Sequence, residues 1–249
     1  MNFDLRTHDP DRYLLSLFIS PIQGRSAFAT LDQLNFELAH LRETVSTSPL
    51  GYIRLQWWRD ELSSLCEGQN SERHPVLVGL QDIPKGQLRY ESFDRILDAR
   101  AMEFDEMAFS KIEDVWDYLD GAQGQLLIIK NSVIGSDARD ESLLSLSRYY
   151  GIAGLVRSLP YYAKSGRRIL PNLFPEDIIP HGEKMVSAVK ALCDGGRTLR
   201  PNGRLPHRYW RATRALADLY YGAIEKAGYD PFHIQPVPFK ELKVWLKSF

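Results

Sequence analysis

Leu31, Leu34, Leu38, Leu41 and Val45 step along the chain by three and four residues, a spacing that gathers apolar side chains on one side of an α-helix. A fold built on this chain must bury helix faces against helix faces. Ser48, Pro49, Leu50 and Gly51 interrupt the pattern, and a second helix is expected from Tyr52 to Cys66. Further helices are predicted at 91–109, 112–134, 140–158, 182–194 and 205–228. Loops are predicted at 67–86, 195–206 and 230–238. Runs of alternating β-branched residues are almost absent, so the expected class is all-α, in one domain over residues 1–249.

The chain has 249 residues, 44% of them hydrophobic, enough for one sizeable core. Its 31 Lys and Arg against 32 Asp and Glu leave no positive field for a polyanion, which argues against nucleic acid as a partner. Cys66 and Cys193 have no second member at metal-knuckle or disulfide-framework spacing. Acids within the first residues and the lack of an early apolar run predict no leader peptide. No uncharged stretch approaches the ~20 residues of a membrane span. The expectation is a cytoplasmic chain, at most peripheral to the inner membrane, or a mitochondrial matrix protein if it is a processed form.

Four stretches, "DRYLLSLFISPIQGRSAFATL" (11–31), "ILDARAMEFD" (96–105), "LDGAQGQLLIIKNSVIG" (119–135) and "GIAGLVRSLPYYAKSGRRILP" (151–171), together resemble the squalene/phytoene synthase family. The resemblance is strongest to a divergent branch of that family that contains respiratory complex I assembly factors. It implies an isoprenoid-synthase helical bundle around a central cavity. In the catalytic branch, two acidic motifs hold Mg²⁺, a hard cation that needs carboxylate oxygens, and the ions hold prenyl diphosphates.

The first of those motifs falls on Ala39, His40, Leu41, Arg42 and Glu43, where only Glu43 can ligate a hard cation. The second can be laid over Arg157 to Pro171, with Ser158 and Tyr162 standing at the two aspartate positions. A neutral phenol is a weak Mg²⁺ ligand, and Pro160 is expected to disturb the helix that carries it. No metal is expected, and no cofactor except Mg²⁺ in the enzymatic alternative. The resemblance thus implies a non-catalytic assembly or scaffold protein, with respiratory complex I subunits as partners. The alternatives are a prenyltransferase using Glu37, Glu43, Asp98, Glu103 and Asp105, or a carrier of polyprenyl lipid.

Candidate ligand-binding residues are Arg25, Arg157, Tyr161, Tyr162 and Arg167, toward an isoprenoid chain or an anionic group. The two tyrosines could line a cavity or fill the space left by acids and ions. Arg54, Trp57, Trp58 and Arg59 are candidates for contact with a protein partner, since Trp and Arg are enriched in binding hot spots. One tryptophan is expected in the core and the other nearer the surface. His40 is expected to bond a backbone carbonyl, and Asp98 to pair with Arg95 or Arg100. The C-terminal "FKELKVWLKSF" reads as an amphipathic basic segment that either docks on its own domain or lies on an anionic membrane.

Overall fold

The computed structural model describes residues 4–19, 22–105, 109–179 and 182–249, with residues 22 and 23 described in the backbone alone. Thirteen α-helices and no strand occur among them, as the all-α expectation requires. These are α1 (Leu5–His8), α2 (Pro10–Ser16), α3 (Ile22–Thr44), α4 (Ser48–Cys66), α5 (Pro75–Gln81), α6 (Tyr90–Ala101), α7 (Ile112–Leu119), α8 (Gln125–Val133), α9 (Asp140–Lys164), α10 (Pro175–Ile178), α11 (Glu183–Thr198), α12 (Arg208–Lys226) and α13 (Lys240–Lys247). The chain divides into two compact units, residues 1–105 with 121–140, and residues 106–120 with 141–249.

In the first unit α4 packs on α6, α3 packs on α5, and α8 lies against both α3 and α6. The stripe Leu31, Leu34, Leu38, Leu41 and Val45 is buried whole, against Leu55, Trp58 and Leu62 of α4 and Phe93, Ile96 and Leu97 of α6. Each such side chain withdrawn from water contributes ~1.5–3 kcal/mol. Helix α3 begins nine residues before the stripe, and fully buried Phe28 continues the same face backward. Helix α6 gives way to a 3-10 turn at Met102–Phe104. Residues 106–108, near the end of the predicted 91–109 segment, lie outside the described residues.

The predicted loop 67–86 contains α5, a correction. His74 Nδ1 accepts the Val76 N–H at 3.2 Å, and Pro75 sits in the first turn, where its missing N–H costs nothing. Val76, Leu77 and Leu80 then bury completely. The sequence around them is short and polar, which hides a two-turn helix.

In the second unit α9 runs through Pro160 to Lys164 rather than stopping at 158, a second correction. The helix ends at Gly166, held at φ 68°. The Arg167 N–H reaches the Tyr162 carbonyl at 2.9 Å and the Gly166 N–H reaches that of Ala163 at 3.1 Å, the paired bonds of a Schellman turn. Gly166 is therefore kept by backbone geometry. A third correction concerns Gly195 and Gly196, read as the start of a loop but lying inside α11. The Tyr221 hydroxyl and Ile152 press on Gly196 where a Cβ would stand, so the glycine serves close packing. Helix α12 carries the largest buried side chains of this unit, Tyr209 and Trp210, and receives α13. Among the described residues no helix is long and apolar enough to cross a membrane.

Candidate functional site

The first-motif positions lie near the C-terminal end of α3. His40 Nδ1 bonds the Phe36 carbonyl at 2.8 Å, the backbone bond expected for it, and its ring sits on that of Phe36 at 3.8 Å. Its Nε2 is 3.9 Å from the Glu43 carboxylate. These residues offer one carboxylate beside an imidazole whose other nitrogen is already engaged. Ala39 adds no donor.

At the second motif, on α9, the Ser158 hydroxyl donates to the Leu155 carbonyl at 2.9 Å within its own helix. Tyr162 lies beneath the Arg167 guanidinium, 4.7 Å from ring centroid to cation, and beside Tyr161 at 5.7 Å. Arg157 stacks on the Tyr220 ring at 3.6 Å, while Tyr161 is 50% exposed and so fills no interior space. Arg168 ties the following loop down through the Phe109 carbonyl at 2.6 Å and covers Phe174. Where the motif calls for anions that attract Mg²⁺, this surface presents cations on aromatic faces.

Arg25, the remaining ligand-binding candidate, is exposed and bonds the Ile19 carbonyl at 2.9 Å. The partner-contact candidates divide as expected for the tryptophans, with Trp58 buried and Trp57 half-buried. Both rings gather around His74, Trp58 at 5.0 Å and Trp57 at 6.3 Å. Arg59 pairs with Asp94 and, at 2.7 Å, with Asp98. The partner of Asp98 is thus Arg59 of α4, not Arg95 or Arg100. Arg100 instead bonds Glu103 at 2.7 Å and Asn35 at 3.0 Å. Arg54 remains exposed, 3.4 Å from the Thr44 hydroxyl.

Of the alternative carboxylates, Asp98 and Glu103 are therefore committed to arginines. Among the described residues no three His, Cys, Asp or Glu side chains come together as a metal-holding group.

A buried charge cluster in the first unit escaped the sequence reading. Lys130 of α8 has no exposed surface and meets the Asp32 carboxylate of α3 at 2.5 Å; Arg12 of α2 meets the same oxygen at 2.8 Å. Arg12 also reaches Asp9 at 3.1 Å and Gln123 at 3.2 Å. Burial pulls the Lys130 amine down to about 8, with Asp32 opposing that fall. The available signal was a lysine inside the apolar run "LLIIK" and an aspartate four residues after Phe28, on the same face.

Neither cysteine is poised as a nucleophile. Burial, with Glu91 and Glu67 nearby, pushes Cys66 up to about 11, and burial pushes Cys193 up to about 12. Both thiols should resist a thiol-titrating reagent at pH 8 in the native protein and react at once in urea. Their folded values lie above the unfolded one, so the stability they contribute is full below about 9 and is lost as pH rises through about 11 for Cys66 and about 12 for Cys193. Fast native labelling of either would contradict this burial.

A helical fold with the second-motif frame in register and its ligands replaced defines the class: the chain belongs to the squalene/phytoene synthase family, whose model matches residues 5–244. Among curated proteins it is similar to the "NADH dehydrogenase (ubiquinone) complex I, assembly factor 6" of Mus musculus. The two are 30% identical over 171 residues, covering 67% of this chain and 50% of that protein. The human protein of that name is 28% identical over 171 residues with the same coverage. The chain thus spans about half the length of these mammalian relatives. The Dictyostelium discoideum homologue is 22% identical over 273 aligned positions, 98% of this chain and 75% of that one.

Two solved structures share the fold. Squalene synthase HpnC from Alicyclobacillus acidocaldarius has a TM-score of 0.73 at 19% identity, covering 91% of this chain and 92% of that one. A ligand-bound dehydrosqualene synthase has a TM-score of 0.75 at 16% identity, covering 98% and 94%.

Proposed function

We propose that this chain is a non-catalytic squalene/phytoene synthase-like protein that acts as an assembly or scaffold factor for respiratory complex I. The observation that carries the reading is the state of the second motif. Ser158 is turned to its own helix backbone and Tyr162 is capped by Arg167, so neither position offers an anionic oxygen to a hard cation. At the first motif Glu43 stands as a single carboxylate beside His40. This donor set does not fit Mg²⁺, and no reaction step is assigned to one. The names of the curated relatives support complex I as the client. A family fold alone would not establish this role.

Affinity purification from the native host should recover respiratory complex I subunits, and a deletion strain should lose complex I activity. Purified protein given farnesyl or geranylgeranyl diphosphate with Mg²⁺ should release no diphosphate. Release that is abolished by Glu43→Ala or Asp105→Ala would overturn the proposal in favour of a prenyltransferase.

A further inference from the structure

Helix α13 is mounted with its apolar side outward. It contacts its own unit through Val244, which is fully buried, and through Ser248, whose carbonyl accepts from Arg211 Nε at 2.8 Å. At 100° per residue an arc of about 100° that holds Leu242, Trp245, Leu246 and Phe249 is centred about 130° round the helix from these two positions. That arc is open, with Leu242 54%, Trp245 47%, Leu246 59% and Phe249 67% exposed, and Phe239 at the helix entry is 76% exposed. The helix thus docks on α12 through a narrow side and leaves most of its hydrophobic face in solvent.

The sector between the buried and the apolar sides is basic, with Lys240, Lys243 and Lys247 one turn apart. Lys243 and Lys247 line a cleft of about 380 Å³ with Lys226, His233 and Asp218. On the other flank Arg208 lies over the Phe249 ring at 3.9 Å and the Trp245 ring at 5.8 Å. Arg204, Arg208 and Arg214 crowd Arg211 closely enough to lower its affinity for a proton, burial contributing most. Glu241 is the one acid on α13. The chain as a whole carries a formal charge of -1, so this concentration of cations around exposed aromatics is local.

We propose that α13 is a membrane-docking helix that lies in the surface of an anionic phospholipid bilayer. Leu242, Trp245, Leu246 and Phe249 enter the acyl boundary, and Lys243 and Lys247 meet the lipid phosphates. Tryptophan and phenylalanine on one side and lysine beside them is the pattern of an interfacial helix, which gains from apolar burial and from attraction to anionic headgroups together. The inference does not depend on the assembly role.

The test is co-sedimentation of the purified 249-residue chain with vesicles of phosphatidylcholine alone and of phosphatidylcholine mixed with phosphatidylglycerol. Binding is expected only to the mixed vesicles and should weaken as salt is raised. Lys243→Gln with Lys247→Gln should weaken partitioning roughly 25-fold, about fivefold for each lysine. Trp245→Glu with Leu246→Glu should remove detectable binding while helicity and melting temperature stay at wild-type values, because both side chains are exposed. Wild-type protein left in the supernatant, or a double glutamate variant that sediments like wild type, would overturn the proposal. So would a wild-type dimer that dissociates in the double glutamate variant without any vesicle binding, since that result gives the face to a second copy.

Discussion

Asp32→Ala is expected to lower stability by ~3–5 kcal/mol, because it strands the amine of Lys130 in the interior of the first unit with Arg12 beside it. Urea denaturation followed by circular dichroism reads this directly. Asp32→Leu combined with Lys130→Met should recover part of the loss, since apolar side chains of similar size often replace a buried ion pair at little cost, while Arg12 keeps Asp9 but loses Asp32. A pH series gives a second reading. Lys130 folds with its amine at about 8 against an ordinary 10.5, so the unfolded chain holds the extra proton between those values. In that window this group adds stability as pH rises. Removing Asp32 removes the largest influence holding the amine up, so the window should open toward neutral pH. An Asp32→Ala protein as stable as wild type at every pH would mean that Lys130 reaches water.

Gly121→Val is expected to cost ~3 kcal/mol, the upper end of the usual penalty for overfilling a packed core. Gly121 lies in a π-helical turn, Asp120–Gly124, between α7 and α8. A Cβ there would stand 2.6 Å from that of Ala99 and 2.9 Å from the Arg95 carbonyl oxygen, so α6 must move to admit it. A π turn bonds i to i+5 and so holds one residue more than an α turn. Gly154→Ala on α9 is the control. Nothing lies within 4 Å of its added Cβ, and alanine in a helix interior should stabilise by ~0.5–1 kcal/mol. Thermal melts of the two variants should therefore shift in opposite directions, by ~2–4 °C per kcal/mol for a chain of this size. A Gly121→Val protein that melts with wild type would sink the close-packing account.

The repeating features of the sequence translated well. The Leu31 to Val45 stripe became the buried face of α3 because a spacing of three and four has only one helical solution. The register of Arg157, Gly166 and Pro171 pointed to the family. His40 fell on its backbone carbonyl because a histidine on α3 finds the carbonyl four residues back within reach. Features set by neighbours distant in sequence were not legible. Helix α5 is seven residues long and draws its stability from His74 at its start and from core contacts, neither of which a window average registers. Asp98 chose Arg59 from another helix over two arginines on its own. Pro160 broke a local rule, yet α9 continued past it.

By itself the sequence determined the class of element, the positions of the long helices and the family, because periodicity and motif order are properties of the chain alone. It also determined which ligand types occupy the two motifs, and hence that carboxylates are scarce there. Tertiary structure decided what each of those side chains does. Arg167 covers Tyr162, Arg157 covers Tyr220, Lys130 is taken out of water onto Asp32, and α13 turns its apolar side away from the protein. Pairing, burial and orientation depend on which surfaces meet across many residues of chain, and composition and spacing carry no record of that.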